Sequence, residues 1–173
     1  MTAISRGRRA AVTAAAAASI ALVGLLPATA SAASAATTST CTPICVLDTR
    51  TGAHPDYDRL VFDLSAGTLP TVQATPSTTG VFYPPSDQGV HLEIPGKSYL
   101  FIDLTMANTY DDAGHPTYTS PTPQTVSLPS LKGVQLDYAF EGEVQFGLSL
   151  ASYSHYQVSH LTGPNRVIVD LYH

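Results

Sequence analysis

The 173-residue chain carries 8 Lys/Arg against 13 Asp/Glu, and its first thirty residues differ in kind from the rest. Arg6, Arg8 and Arg9 precede an apolar run from Ala10 to Leu26 and the small residues Ala28 to Ala32, the order of a secretory signal peptide. Removing residues 1–32 takes away three arginines and leaves five basic residues against 13 acidic ones, a net charge near −8. That balance excludes sequence-nonspecific nucleic-acid binding and attraction to anionic lipid, and no second apolar stretch is long enough to span a membrane.

Residues 33–43 are mostly Ala, Ser and Thr without periodicity and read as a flexible tether. Cys41 lacks the small-residue context of a lipidated cysteine. A product released outside the cell or held in the envelope is expected. Cys41 and Cys45 are the only cysteines, and a bridge between them is the economical reading in an oxidising compartment. So small a ring constrains the unfolded chain by only about 2 kcal/mol. A redox pair would be the tighter C-x-x-C, and a thiolate metal site would want two more ligands.

From Ile44 to His173 the apolar residues alternate. Leu60, Phe62 and Leu64 share one face, as do Leu100, Ile102, Leu104 and Met106. A third series runs Val134, Leu136, Tyr138, Phe140, Val144, Phe146, Leu148 and Leu150, with Gly142 marking a bend or bulge. The last strand is Arg166 to Tyr172, with Val167, Val169 and Leu171 inward. Period-two alternation broken by Gly and Pro predicts half-buried strands and little helix. One all-β domain over residues 44–173 follows, an antiparallel β-sandwich or partly open barrel of about eight strands.

Two segments are built alike: Arg59 is followed by apolar residues and Asp63, and Arg166 by apolar residues and Asp170. Placed on adjacent strands, these four residues form structural cross-strand ion pairs.

Motifs that carry chemistry are few. No G-x-S-x-G, H-x-x-x-H or H-E-x-x-H occurs. The clusters His54-Pro55-Asp56-Tyr57-Asp58 and Asp111-Asp112-Ala113-Gly114-His115 read as Asp-stabilised turns, with calcium binding as the alternative. Glu141 and Glu143 flank Gly142 on one strand face, ~7 Å apart, a spacing open to inverting glycoside hydrolysis but equally that of an inert solvent face. Neither a metal nor a cofactor is expected. Nine tyrosines and no tryptophan are more informative. Tyr110 and Tyr118 bracket the Asp111 to Pro116 loop and Tyr83 sits beside Pro84-Pro85; an exposed tyrosine offers an apolar face and a hydroxyl to a sugar or peptide. The candidate ligand-binding residues are Tyr83, Tyr110, Asp112, His115, Tyr118 and Glu141.

The segment Asp48 to His54, then Tyr57-Asp58-Arg59-Leu60-Val61-Phe62-Asp63, resembles the opening of the AMIN-like domain of actinobacterial secreted proteins and lipoproteins. The likeness continues through Leu100 to Leu104, Asp112 to Tyr118, Phe140-Glu141-Gly142 with Phe146-Gly147-Leu148, and Gly163 to Asp170. Pro84-Pro85 and Gln157 depart from the pattern, where a Gly-rich turn and an arginine are usual. The resemblance implies a noncatalytic β-sandwich that binds a cell-envelope glycan, with peptidoglycan foremost. The alternatives are a protein-interaction module that recruits or inhibits an envelope enzyme, and a small secreted glycan hydrolase.

Overall fold

The computed structural model describes residues 40–86 and 88–173; the expected signal peptide, 1–32, and residues 33–39 of the expected tether lie outside the described residues. Eight strands of seven to ten residues carry the domain: β1 (Val46–Ala53), β2 (Tyr57–Leu64), β3 (Thr71–Ser77), β6 (Ser98–Thr105), β8 (Leu131–Phe140), β9 (Glu143–Leu150), β10 (His155–Leu161) and β11 (Arg166–Tyr172). Three two-residue strands complete it: β4 (Val81–Phe82), β5 (Val90–His91) and β7 (Gln124–Thr125). They form an antiparallel sheet in the order β1-β2-β11-β10, a second in the order β3-β6-β9-β8-β7, and the small β4-β5 hairpin.

The period-two pattern explains the sandwich. Leu60, Phe62, Val167, Val169 and Leu171 on one sheet meet Leu100, Ile102, Leu104, Phe146, Leu148 and Leu150 on the other, and all are fully buried. Each such side chain stabilises by roughly 1.5–3 kcal/mol relative to exposure. Phe62 and Phe146 meet across the sheets at 4.8 Å between ring centroids.

Two expectations need correction. The long alternating series is two strands, β8 and β9, joined at Glu141-Gly142, where φ is 49° and 80°. Two successive positive φ values define the hairpin turn that matches strand twist, and glycine at the second position relieves its strain. The β8–β9 register also slips between Leu136 and Tyr138, leaving Asp137 as an extra residue. A bulge of this kind reverses the parity beyond it. Ala139 therefore takes the inner face, Tyr138 turns to the outer face, and Phe140, expected inward, is 53% exposed.

The expected tether also ends earlier than residue 43. Cys41 and Cys45 are bridged, with Cα atoms 5.5 Å apart. Thr42 donates its backbone N–H and its hydroxyl to the Asp112 carboxylate at 2.9 and 3.0 Å. Paired hydrogen bonds of this sort dock Thr40–Pro43 onto the domain.

Among the four predicted ion-pair residues, β2 and β11 are indeed neighbours, with Arg59 opposite Asp170 and Asp63 opposite Arg166. Arg59 meets Asp170 through two hydrogen bonds of 2.7 Å. Asp63 instead takes Arg50 of β1, at 2.5 and 2.7 Å, and Arg166 turns back to the Pro164 carbonyl at 3.5 Å. Asp63 lies between strands on both sides, and the arginine from β1 supplies the two-pronged match to its carboxylate.

Candidate functional site

After β6 the chain turns at Met106, whose φ is 68°, and runs back along β1. Asn108 bridges to Cys45: its N–H donates to the Ile44 carbonyl at 3.0 Å and its carbonyl accepts from the Val46 N–H at 2.8 Å. The Asn108 side chain donates to the Thr42 carbonyl at 3.2 Å, and the Asp112 N–H donates to the Thr40 carbonyl at 2.9 Å. Ala107 N–H reaches the Gly142 carbonyl at 3.0 Å, tying this loop to the β8–β9 turn. The loop after β6 and the end of β8 with its turn border an open cleft of about 330 Å³ lined by Asn108, Thr109, Tyr110, Asp112, Phe140 and Glu141, among others.

The cleft gathers three of the six predicted ligand residues, Tyr110, Asp112 and Glu141. Their roles differ. Tyr110 is 54% exposed and stands with the half-exposed Phe140 as apolar surface. Asp112 spends both carboxylate oxygens on Thr42, so it shapes the wall. Glu141 is exposed at the tip of the hairpin. Among the described residues no lysine or arginine lines the cleft, and its acidic residues make it repel anions.

The other three lie elsewhere. His115 is exposed beside Asp111, Nδ1 to carboxylate 3.3 Å, and does not line the cleft. Asp111 accepts the backbone N–H groups of Ala113 and His115 at 3.0 and 2.8 Å, which lowers its pKa, the His115 N–H contributing most. This loop is an Asp-capped turn. Tyr118 is turned inward: its ring packs edge-on against Phe146 at 5.4 Å and its hydroxyl bonds Thr49 at 3.0 Å. Burial raises its pKa. A ring held so firmly on the core supports the fold. Tyr83 rises from the β4-β5 hairpin on the outer face of the five-stranded sheet, beside a separate pocket.

Sequence reasoning missed Phe140 and Asn108. The parity count assigned Phe140 to the core; the Glu-Gly pair between two alternating runs is the signal that would have placed a hairpin there. Glu143, weighed with Glu141 for hydrolysis, accepts a hydrogen bond from the Thr105 hydroxyl at 3.0 Å. In the other acidic cluster, Asp58 is fully buried and accepts the N–H groups of Ser130 and Leu131 at 2.6 and 2.8 Å, a structural anchor between the sheets. Among the described residues no three His, Cys, Asp or Glu side chains are grouped as metal ligands.

A family model described as AMIN-like domain matches residues 45–173. No curated protein and no solved structure matches the chain.

Proposed function

The chain belongs to the AMIN-like domain family, and from that premise we propose that it is a noncatalytic module that works outside the cell membrane by binding a cell-envelope glycan, with peptidoglycan as its ligand. The observation that carries this reading is the cleft where half-exposed Tyr110 and Phe140 stand with Glu141 and Asn108 and no cation. Aromatic surface stacks on a sugar face while the carboxylate and amide exchange hydrogen bonds with hydroxyl and acetamido groups.

Incubating the protein with purified cell walls tests it. Pelleting without release of soluble fragments is expected. Replacing both Tyr110 and Phe140 by Ala lowers pelleting about tenfold or more, the loss of roughly 1.4 kcal/mol or more of contact, with little change in melting temperature because both rings are half exposed. Moderate salt leaves binding intact, since attraction between opposite charges does not drive it. Release of fragments, or undiminished pelleting by the double variant, overturns the proposal.

One observation favours the protein-interaction reading as a second. Among the described residues the edge strand β10 pairs only with β11, in unbroken register, and its sequence from His155 to Leu161 has no Lys, Arg, Pro or bulge. Such an edge accepts an added strand. A protein that fails to pellet with walls yet captures envelope protein through β10 would replace the glycan reading.

A further inference from the structure

The outer face of the five-stranded sheet holds a pocket of about 240 Å³, apart from the cleft, lined by Thr75, Phe82, Tyr83, Phe101, Asp103 and Gln145 among others. Its walls are aromatic: Phe82 and Phe101 are buried and Tyr83, 65% exposed, stands at the rim. Its floor accepts hydrogen bonds. Asp103 on β6 and Gln145 on β9 are register partners, and the Gln145 amide donates to the Asp103 carboxylate at 2.6 Å. That leaves Gln145 Oε1 buried with no partner. On the same sheet face the bulge residue Asp137 also has both carboxylate oxygens buried and unpartnered. Its Oδ2 lies 2.8 Å from where Gly147 would carry a Cβ, and Leu92 Cδ2 lies closer still, so a side chain at 147 would have to push both aside.

The charged and titratable groups around these acceptors are of one sign. Asp103 comes from β6, Glu143 from β9, Asp137 and Tyr138 from β8, and among the described residues the β4-β5 strap and the residues after it add Tyr83, His91 and Glu93, all exposed. No cation among the described residues reaches them. Arg50 and Arg59 are held by Asp63 and Asp170, Lys132 donates to the Leu128 carbonyl, Arg166 to the Pro164 carbonyl, and Lys97 forms no ion pair among the described residues. Acceptors without donors beneath aromatic walls call for a ligand that brings both donors and positive charge.

We propose that this pocket binds a primary ammonium group. Its N–H donors match the Asp103 carboxylate and the Thr75 hydroxyl, and its charge faces the rings of Tyr83 and Phe101. An anion is repelled, a neutral alkyl chain leaves the acceptors unmet, and a divalent ion lacks the ligand set. Burial raises the pKa of Asp103, and burial followed by repulsion from Asp103 pushes Asp137 up to about 8. A bound cation favours the ionised carboxylates, so binding expels protons and strengthens as pH rises. The site shares no residue with the glycan cleft, and its test is independent of that reading.

The test is an NMR titration of the purified protein with n-butylammonium and with its neutral twin n-butanol. Like a lysine side chain, the probe stays charged from pH 5.5 to 8. Butylammonium should shift the amides around Asp103 and Gln145, bind at least about tenfold tighter than butanol, and gain about tenfold from pH 5.5 to 8. Asp103→Asn should lose about tenfold and Tyr83→Ala about threefold. Tyr83 is at the rim, so its variant keeps the test decisive even if Asp103→Asn does not fold. Equal binding of the twins, pH-independent binding, or a Tyr83→Ala protein that binds as the parent does, overturns the proposal.

Discussion

The outer faces of the two sheets carry the same residue types on neighbouring strands and treat them in opposite ways. On the four-stranded sheet, Asp63 and Asp170 each hold an arginine through two short hydrogen bonds. On the five-stranded sheet, Asp103 and Asp137 have no arginine or lysine and are half covered by the β4-β5 strap, whose Phe82 and Leu92 pack with Phe101, Tyr99 and Tyr138. A carboxylate matched by guanidinium is a structural part. One left in a low-dielectric site without a counter-ion costs stability, and proteins keep such groups where the cost serves a purpose. The first face ties neighbouring strands of one sheet together; the second is primed for something that arrives.

The contrast is broken most forcefully at Asp137. Its folded pKa of about 8 lies above the ordinary carboxylate value of 3.8, so the folded state binds the proton more tightly than the unfolded chain. Stability is therefore greatest below pH 4 as far as this group is concerned and falls by up to ~1.4 kcal/mol per pH unit between pH 4 and 8. Asp137→Asn should flatten that slope and raise the denaturation midpoint at pH 8 by an amount worth about 2–4 kcal/mol; urea melts at pH 5 and 8 measure it, and a parent protein as stable at 8 as at 5 refutes the account.

Arg59 gives the next largest effect. Asp170 is buried, and Arg59→Met leaves its charge unmatched, at a cost of about 2–3 kcal/mol in a urea melt near neutral pH. Arg50→Met should cost less than about 1 kcal/mol and lose even that in 0.5 M salt, because the Arg50–Asp63 pair is largely exposed. Equal costs at Arg59 and Arg50 would erase the distinction between a buried and an exposed pair.

Most of the fold was legible in the alternation alone, since Leu60, Phe62, Val167, Val169 and Leu171 could face a core only from strands. What the pattern could not carry was the slip at Asp137. A one-residue bulge changes no composition and leaves the alternation of Leu136, Tyr138 and Phe140 unbroken on paper while turning two of the three out of the core. Arg50 was missed for a related reason: β1 flanks β2 on the side away from β11, and strand order is a matter of long-range packing. The cleft was half legible. Tyr110, Asp112 and Glu141 were named for their chemistry, but their meeting depends on the Asn108 bridge to Cys45, some sixty residues away in sequence. For Tyr118, proximity in a loop does not reveal that Thr49 and Phe146 draw the ring inward.

The position of β11 has a consequence for how the protein comes into being. It lies between β2 and β10, pairing Tyr57 with Tyr172. A nascent chain on the ribosome therefore lacks the centre of one sheet until residues 166–172 have emerged, and β2 must wait with one edge open. Contacts across such a separation make assembly slow and all-or-none. Fragments that stop short of residue 166 should be degraded or aggregate instead of persisting as partial domains, because the four-stranded sheet cannot close without β11.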